Sequence, residues 1–234
     1  MSAIELKQYL KSKANVNDAI NLQRFFKTGP GEYGEGDIFH GIKIPILREA
    51  TKKFMNLSLA DIQEVLHSKY HEERMISLFL LINKFKKAEP KEKKTIYNMY
   101  LKNTKYINNW DLVDLSSHHI VGAYLFDKEK DILYKMAASK DLWKKRIAII
   151  STFYFLRRGD FVPTFKIAEM LLNDKHDLIH KGVGWMLREV GNRDMGAEEE
   201  FLLCFYKQMP RTMLRYAIEK FPENKRQAYL KGRM

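Results

Sequence analysis

The sequence predicts an all-α fold, built as a superhelical solenoid of stacked antiparallel helix pairs. Apolar residues recur with helical spacing nearly throughout the chain, for example at Ile147, Ile150 and Phe153. Similar segments return every 35 or so residues. No Asn-Gly dipeptide or convincing pair of alternating strands indicates a β-hairpin. Stacked repeats of this length bury a continuous core and turn equivalent positions into one concave face.

The repeat passes through Arg74, Trp110, Arg146, Lys181 and Tyr216. Its period is close to that of tetratricopeptide repeats, but their Trp, Leu-Gly and Tyr signature does not recur, so a HEAT-like repeat is favoured. No Pro/Gly/Ser-rich linker divides the chain. We therefore expect a single domain over residues 1–234, with an N-terminal helical hairpin and Gly-rich loop in 1–40 and the repeat array in 41–234.

The individual elements support this prediction in chain order. The stretch from Lys27 to Asp37 holds Gly29, Gly31 and Gly34 at the spacing of a dinucleotide fingerprint, but a helix precedes it where the fingerprint needs a strand. It is interpreted as a loop. Farther along, three prolines each precede an apolar helical run, where a first-turn proline is tolerated: Pro90, Pro163 and Pro210.

Composition restricts the function classes. The net charge of +12 favours nucleic acid or another anionic partner. The single cysteine, Cys204, excludes an intrachain disulfide and a cysteine-built zinc site, and its apolar neighbours predict a small core residue. Neither a signal peptide nor a membrane-length apolar stretch is visible, so we expect a cytoplasmic protein, a monomer with no membrane contact, cofactor or metal.

Two residue pairs form the candidate site. Trp110 and Asp114 lie four apart and would share a helix face, as would Trp185 and Arg188, which are three apart. Near the second pair, Gly182 and Gly184 weaken a helix interior by up to about 1 kcal/mol each relative to alanine. This cost indicates a close approach there, either by a neighbouring helix or by a ligand.

Three of the motifs together resemble a known family. They are Asn-Trp-Asp-Leu-Val-Asp from Asn109, Leu-Trp-Lys-Lys-Arg-Ile-Ala from Leu142 and Lys-Gly-Val-Gly-Trp-Met-Leu-Arg-Glu from Lys181. The pattern is similar to that of the bacterial DNA alkylation repair proteins, which are alkylpurine DNA glycosylases built from HEAT-like repeats. The resemblance extends from about Leu22 to Phe221.

The resemblance implies roles for individual residues. Trp110 and Trp185 match the aromatic residues that contact the sugar at the lesion, and Asp114 matches the catalytic carboxylate. Phe25 stands where some family members have a tyrosine, so a phenolic donor is lost there. Arg146 and Arg188 match residues that hold phosphates, and the other basic residues expected on the concave face are Arg74, Lys144, Lys145, Lys181 and Arg215.

The expected function is therefore hydrolysis of the N-glycosidic bond of cationic N3- or N7-alkylated purines in duplex DNA, with Asp114 stabilising an oxocarbenium-like state and positioning water. Two alternatives remain: a nucleic-acid-binding solenoid without catalysis, and a protein-interaction adaptor. A buried ion pair at Asp114 would argue against the enzymatic interpretation.

Overall fold

The computed structural model describes all 234 residues and confirms the all-α prediction. A parallel bridge between Ile38 and Tyr70 is the one β-type pairing, and no β-strand forms. The helices are α1 Ala3–Lys11, α2 Val16–Phe25, α3 Ile44–Lys53, α4 Leu59–Leu66, α5 His71–Lys87, α6 Pro90–Lys102, α7 Trp110–Ser117, α8 Ala123–Leu125, α9 Asp131–Ala137, α10 Leu142–Ser151, α11 Phe153–Leu156, α12 Val162–Met170, α13 Asp177–Gly191, α14 Met195–Phe205, α15 Arg211–Ala217 and α16 Glu223–Leu230.

Short turns connect some of these helices. Thr104–Tyr106 and Ile218–Lys220 form 3₁₀ turns, and His118–Gly122 is a π-helical segment between α7 and α8. The chain divides into two compact units, residues 1–112 and 113–234. The single repeat domain over residues 1–234 and its superhelical arrangement stay predictions.

In the first unit, α5 carries most of the core. It buries twelve of its seventeen residues and packs against α3, α4 and α6, while α1 packs on α4. Helix α1 begins with a capping box, in which the Ser2 hydroxyl accepts from the Glu5 amide and the Glu5 carboxylate accepts from the Ser2 amide. The packing follows from the nearly continuous apolar run from Met75 to Phe85.

The Gly-rich segment is a loop, as the sequence predicts. Its end is fixed by Glu72, whose carboxylate accepts hydrogen bonds from the backbone N–H groups of His40, Gly41 and Ile42 at 2.9, 2.8 and 3.1 Å. Gly41 has a φ of +80°, and a Cβ there would overlap the carbonyl oxygen of Asn15. Only glycine fits where this loop passes the start of α2.

In the second unit, α13 is the central helix and packs against α10, α12, α14 and α15. Gly184 allows α15 to approach closely, because a Cβ at Gly184 would overlap the Met213 carbonyl oxygen and the Tyr216 side chain. Gly182 faces the guanidinium of Arg146, with Nη1 3.3 Å from its ideal Cβ position. The close approach at Gly184 is therefore made by a helix.

The predicted repeat positions recur structurally. Arg74, Trp110, Arg146, Lys181 and Tyr216 each lie within the first two turns of a helix, respectively α5, α7, α10, α13 and α15. The prolines also stand at helix starts, with Pro90 first in α6, Pro163 second in α12 and Pro210 at the N-cap of α15. The prediction for Cys204 is wrong: it is exposed, because the buried face of α14 is formed by Glu198, Phe201 and Leu202.

Candidate functional site

Trp110, the first residue of α7, lies in an aromatic cluster of the first unit. Its ring stacks on Phe26 with centroids 5.3 Å apart and meets the ring of Phe25 at 6.0 Å. Its indole N–H donates to the Tyr33 hydroxyl at 3.3 Å. Phe25 is 62% exposed, so the cluster presents an apolar ring to solvent beside a half-buried indole. The structure thus brings Trp110 and Phe25 together, as a common site requires.

A buried charge network fixes the first turn of α7. His71 contacts carboxylates on both sides, Asp37 through Nδ1 and Asp111 through Nε2, each at 2.8 Å. Asp37 is also paired with Arg74. Burial alone would lower the pKa of His71, but the charges and hydrogen bonds of Asp111 and Asp37 outweigh burial and raise this pKa to about 9. His71 is therefore an imidazolium at neutral pH, held between two carboxylates next to Trp110.

Asp37 completes this network. Burial would raise the pKa of Asp37, but the hydrogen bond from His71 and the charges of Arg74 and His71 hold it below its ordinary value. The Asn109 amide also approaches Asp37, at 3.4 Å, and its side-chain oxygen accepts from the Trp110 amide at 2.8 Å. Together these groups determine where α7 begins.

Asp114, in the second unit, forms a bidentate ion pair with Arg146 of α10. Nε and Nη2 of Arg146 donate to the two carboxylate oxygens at 2.8 and 2.7 Å. The third guanidinium nitrogen donates to the Leu178 carbonyl. Arg146 is buried, whereas the Asp114 side chain keeps 18% of its surface exposed. The carboxylate is therefore held in a fixed orientation from the Arg146 side but is not sealed from solvent.

The helix departs from α-geometry directly after this carboxylate. Residues His118–Gly122 form the π-helical segment, and such segments occur often at functional sites. The His118 ring lies 5.4 Å from the Phe153 ring. A Cβ at Gly122 would overlap the Ser151 carbonyl oxygen, so this glycine permits close contact with α10.

Trp185 lies on α13 beside Phe153, with ring centroids 5.9 Å apart. Its indole N–H donates to Glu189 one turn later at 3.3 Å. The guanidinium carbons of Arg157 and Arg193 lie 4.5 and 5.7 Å from the centre of the Phe153 ring. The second unit thus holds its half-buried indole among an aromatic ring and two cations.

Three of the predicted phosphate-binding residues pair with carboxylates. Lys181 pairs with Asp177 on its own helix at 2.7 Å, and Arg188 pairs with Glu219. Lys145 contacts Asp174 at 2.6 Å, and the hydrogen bonds from Lys145 and the His176 backbone amide together outweigh burial and lower the pKa of Asp174. More exposed pairs such as Lys181–Asp177 and Arg188–Glu219 contribute about 0–1 kcal/mol, so a phosphate can replace the carboxylate there. The Asp174 side chain, by contrast, is only 6% exposed. Lys144 and Arg215 make no ion pair.

For Arg74 and Arg146 the structure corrects the expectation of phosphate contact. Both arginines are about 95% buried, and both are paired with aspartates and hydrogen-bonded to backbone carbonyls. A guanidinium in this state cannot reach a DNA strand without breaking its pair. The repeat therefore places these two arginines in the packed interior, where they support helix ends.

Sequence reasoning missed Tyr33, His71 and Phe153. Tyr33 belongs to the loop interpreted as a plain connection, and nothing in the sequence pairs it with a residue 77 positions away. His71 stands at the start of a recurring helix, which is the one signal that could have found it. Nowhere does the structure gather three His, Cys, Asp or Glu side chains in a way that could hold a metal ion. No helix is long and apolar enough to cross a membrane.

The family model described as DNA alkylation repair enzyme matches residues 6–221. Among solved structures, the chain is similar to a predicted DNA alkylation repair enzyme from Enterococcus faecalis, with a TM-score of 0.72 and 14% sequence identity, over 90% of this chain and 98% of that one. At this identity the likeness shows a shared fold. No match was found among curated proteins.

Proposed function

Because the chain belongs to the DNA alkylation repair enzyme family, we propose that it hydrolyses the N-glycosidic bond of cationic N3- or N7-alkylated purines in duplex DNA. The observation that carries the proposal is the carboxylate of Asp114, held in a fixed orientation by two hydrogen bonds from Arg146 yet still partly exposed. Trp110 precedes it by one turn of the same helix.

The chemistry needs little beyond negative charge and water. Alkylation at N3 or N7 makes the base a cationic leaving group, so cleavage of the bond between the sugar C1′ and the base nitrogen releases a neutral base and leaves an oxocarbenium-like sugar. Asp114 stabilises that cation and orients the water that adds to C1′, accepting its proton directly or passing it to solvent. No acid has to protonate the base first.

The indoles assist the same step. A cation over an indole face is stabilised by about 0.5–2 kcal/mol. In the proposal, Trp110 and Trp185 contact the sugar and favour its developing charge. Phe25 extends the Trp110 cluster and offers an exposed apolar ring to the nucleotide. The cations that are at least partly exposed, Lys144, Lys145, Lys181, Arg188 and Arg215, contact phosphates.

The test is release of 7-methylguanine from a methylated duplex, measured with protein in excess over DNA. Wild-type protein should release the base, and Asp114→Asn should lower the rate at least 100-fold while binding unmodified duplex as well as wild type or better. Asp131→Asn is the matched control, because it removes one exposed carboxylate from the start of α9. Equal release by Asp114→Asn and wild type would refute the catalytic role.

The Arg146 contact also favours a second candidate, a protein that binds nucleic acid without cleaving it. A guanidinium hydrogen-bonded to both oxygens neutralises much of the carboxylate charge that an oxocarbenium ion needs. This candidate predicts salt-dependent duplex binding with no base released by wild type, so the same assay separates the two.

A further inference from the structure

A dense lysine surface lies in the first unit, at the end of α5 and along α6. Between residues 84 and 105 the chain has eight lysines and two glutamates, a net charge of +6 out of +12 for the whole protein. None of the lysines is fully buried. The eight residues that we call the lysine surface are Lys84, Lys86, Lys87, Lys91, Lys93, Lys94, Lys102 and Lys105.

The charges of the lysine surface are not neutralised within the protein. The structure has fifteen ion pairs, and none uses any of these eight lysines or the nearby Glu89 and Glu92. By contrast, five of the seven basic residues that the sequence assigned to phosphate contact are paired with carboxylates. Unpaired cations are therefore concentrated on the lysine surface, which the sequence analysis did not include in the predicted phosphate contacts.

The lysines on α6 form a row. Lys91, Lys94 and Lys102 project from one side of the helix, opposite the buried residues Ile96 and Tyr100. The row from Lys91 to Lys102 is about 16 Å long at 1.5 Å per residue. Each of its three ammonium groups can contact one phosphate, so the row offers about three contacts to a DNA strand.

A cavity of about 240 Å³ lies where the end of α5 meets the start of α6. Its lining includes the side chains of Lys84 and Lys87, together with Asn56, Asn83 and Glu92. Helices α5 and α6 are joined by only two residues, which keeps the two groups of lysines close together. The cavity therefore offers two ammonium groups and two side-chain amides to an anionic group, against the one carboxylate of Glu92.

Like charges held this close repel one another and destabilise the folded chain. A row of unpaired cations is stabilised by a partner with regularly spaced negative charges, and duplex DNA carries one negative charge per about 1.7 Å of axis. Given the proposed action on duplex DNA, on which this inference rests, we propose that the lysine surface contacts the DNA phosphate backbone and supplies sequence-independent affinity rather than base release.

The experiment compares two triple variants in binding an unmodified 20-base-pair duplex across salt concentrations. Lys91→Gln, Lys94→Gln and Lys102→Gln together remove the row. Lys11→Gln, Lys52→Gln and Lys135→Gln together remove the same charge from three separate helices, and none of these lysines has an ion pair or ring contact. Thermal melting checks that both variants fold.

We expect the row variant to bind at least tenfold more weakly and its plot of log affinity against log salt to be shallower by about 2–3, since each lost phosphate contact contributes about 0.9. The control should change this slope by less than one. An unchanged slope in the row variant, or an equal loss in the control, would overturn the proposal. The proposal would also be overturned if the row variant lost affinity for poly-L-glutamate but kept its affinity for the duplex.

The two proposals fail separately. Binding to unmodified duplex does not depend on base release. If wild-type protein binds duplex through the row but excises no base, the glycosylase proposal is refuted and the lysine-surface proposal stands. If wild-type protein excises 7-methylguanine but the row variant binds duplex as well as wild type, the lysine-surface proposal is refuted and the glycosylase proposal stands. At saturating protein, the row variant should release base at the wild-type rate.

Discussion

Arg146 donates one hydrogen bond to each carboxylate oxygen of Asp114, at 2.8 and 2.7 Å, and a third to the Leu178 carbonyl. The arginine thereby connects α7, α10 and the first turn of α13. Because its guanidinium is buried and each of its three nitrogens already donates to a protein oxygen, we expect Arg146 to orient Asp114 rather than to bind a phosphate.

We expect Arg146→Ala to behave as a positioning variant. It should lower the free energy of unfolding by about 1–3 kcal/mol, below the full cost of breaking a buried pair because Asp114 keeps some solvent contact. Base release at saturating protein should fall more than tenfold, while the salt dependence of duplex binding stays as in wild type. Urea denaturation and a salt titration measure these effects.

Arg146→Lys is the matched variant, since it keeps the charge but loses the bidentate geometry. Its rate of base release should lie between those of wild type and Arg146→Ala. A salt slope reduced by about one in Arg146→Ala, with stability unchanged, would instead return this residue to the DNA interface.

A second prediction concerns the close contact between α13 and α15. Gly184→Ala should lower the free energy of unfolding by about 1–3 kcal/mol, because the added methyl overlaps the Met213 carbonyl oxygen and the Tyr216 side chain. Gly196→Ala is the control: its methyl meets only the Asp194 carboxylate, at 3.3 Å. Chemical denaturation of the two variants should differ clearly, and equal stability would show that the helices can separate without cost.

The all-α class and the recurring helices could be predicted, because periodicity and repeat spacing are local properties of the sequence. The partners of the cations could not. Arg74 and Arg188 were both expected to contact phosphates, yet Arg74 is buried against Asp37 and Arg188 pairs at the surface with Glu219. That difference depends on tertiary contacts made by residues more than thirty positions away. Likewise, the sequence shows that α6 is rich in lysine, but only the tertiary structure shows that these lysines have no carboxylate partners.

The third prediction is a pH effect from His71. Its folded pKa of about 9 lies above the ordinary value of 6.5, so the stabilisation by Asp37 and Asp111 is complete below pH 6.5 and is lost as the pH rises through about 9. His71→Gln should reduce the free energy of unfolding by about 1–3 kcal/mol at pH 6. The difference from wild type should become smaller as the pH approaches 9.

Urea denaturation between pH 6 and 9.5 measures this gap. His67→Gln is the control, because the His67 ring bonds to the uncharged side chain of Asn103 rather than to carboxylates. A gap that stays constant over the whole range would mean that His71 carries no charge in the folded protein.

The last prediction concerns Glu198, a carboxyl that is 1% exposed and has one oxygen with no hydrogen-bond partner. Its other oxygen occupies the space that a side chain at Gly191 would fill. Burial first, and the neighbouring charge of Glu199 second, raise the pKa of Glu198 to about 9. The folded state thus keeps a proton that the unfolded chain loses near pH 4.5, so this group lowers stability as the pH rises from 4.5 to 9.

Glu198→Gln keeps the shape and removes the titration. Its free energy of unfolding should therefore match that of wild type near pH 4.5 and exceed it by about 1–3 kcal/mol at pH 8. Glu200→Gln, on the exposed side of the same helix, should follow the wild-type curve. Parallel curves for Glu198→Gln and wild type would show that Glu198 is ionised in the folded protein.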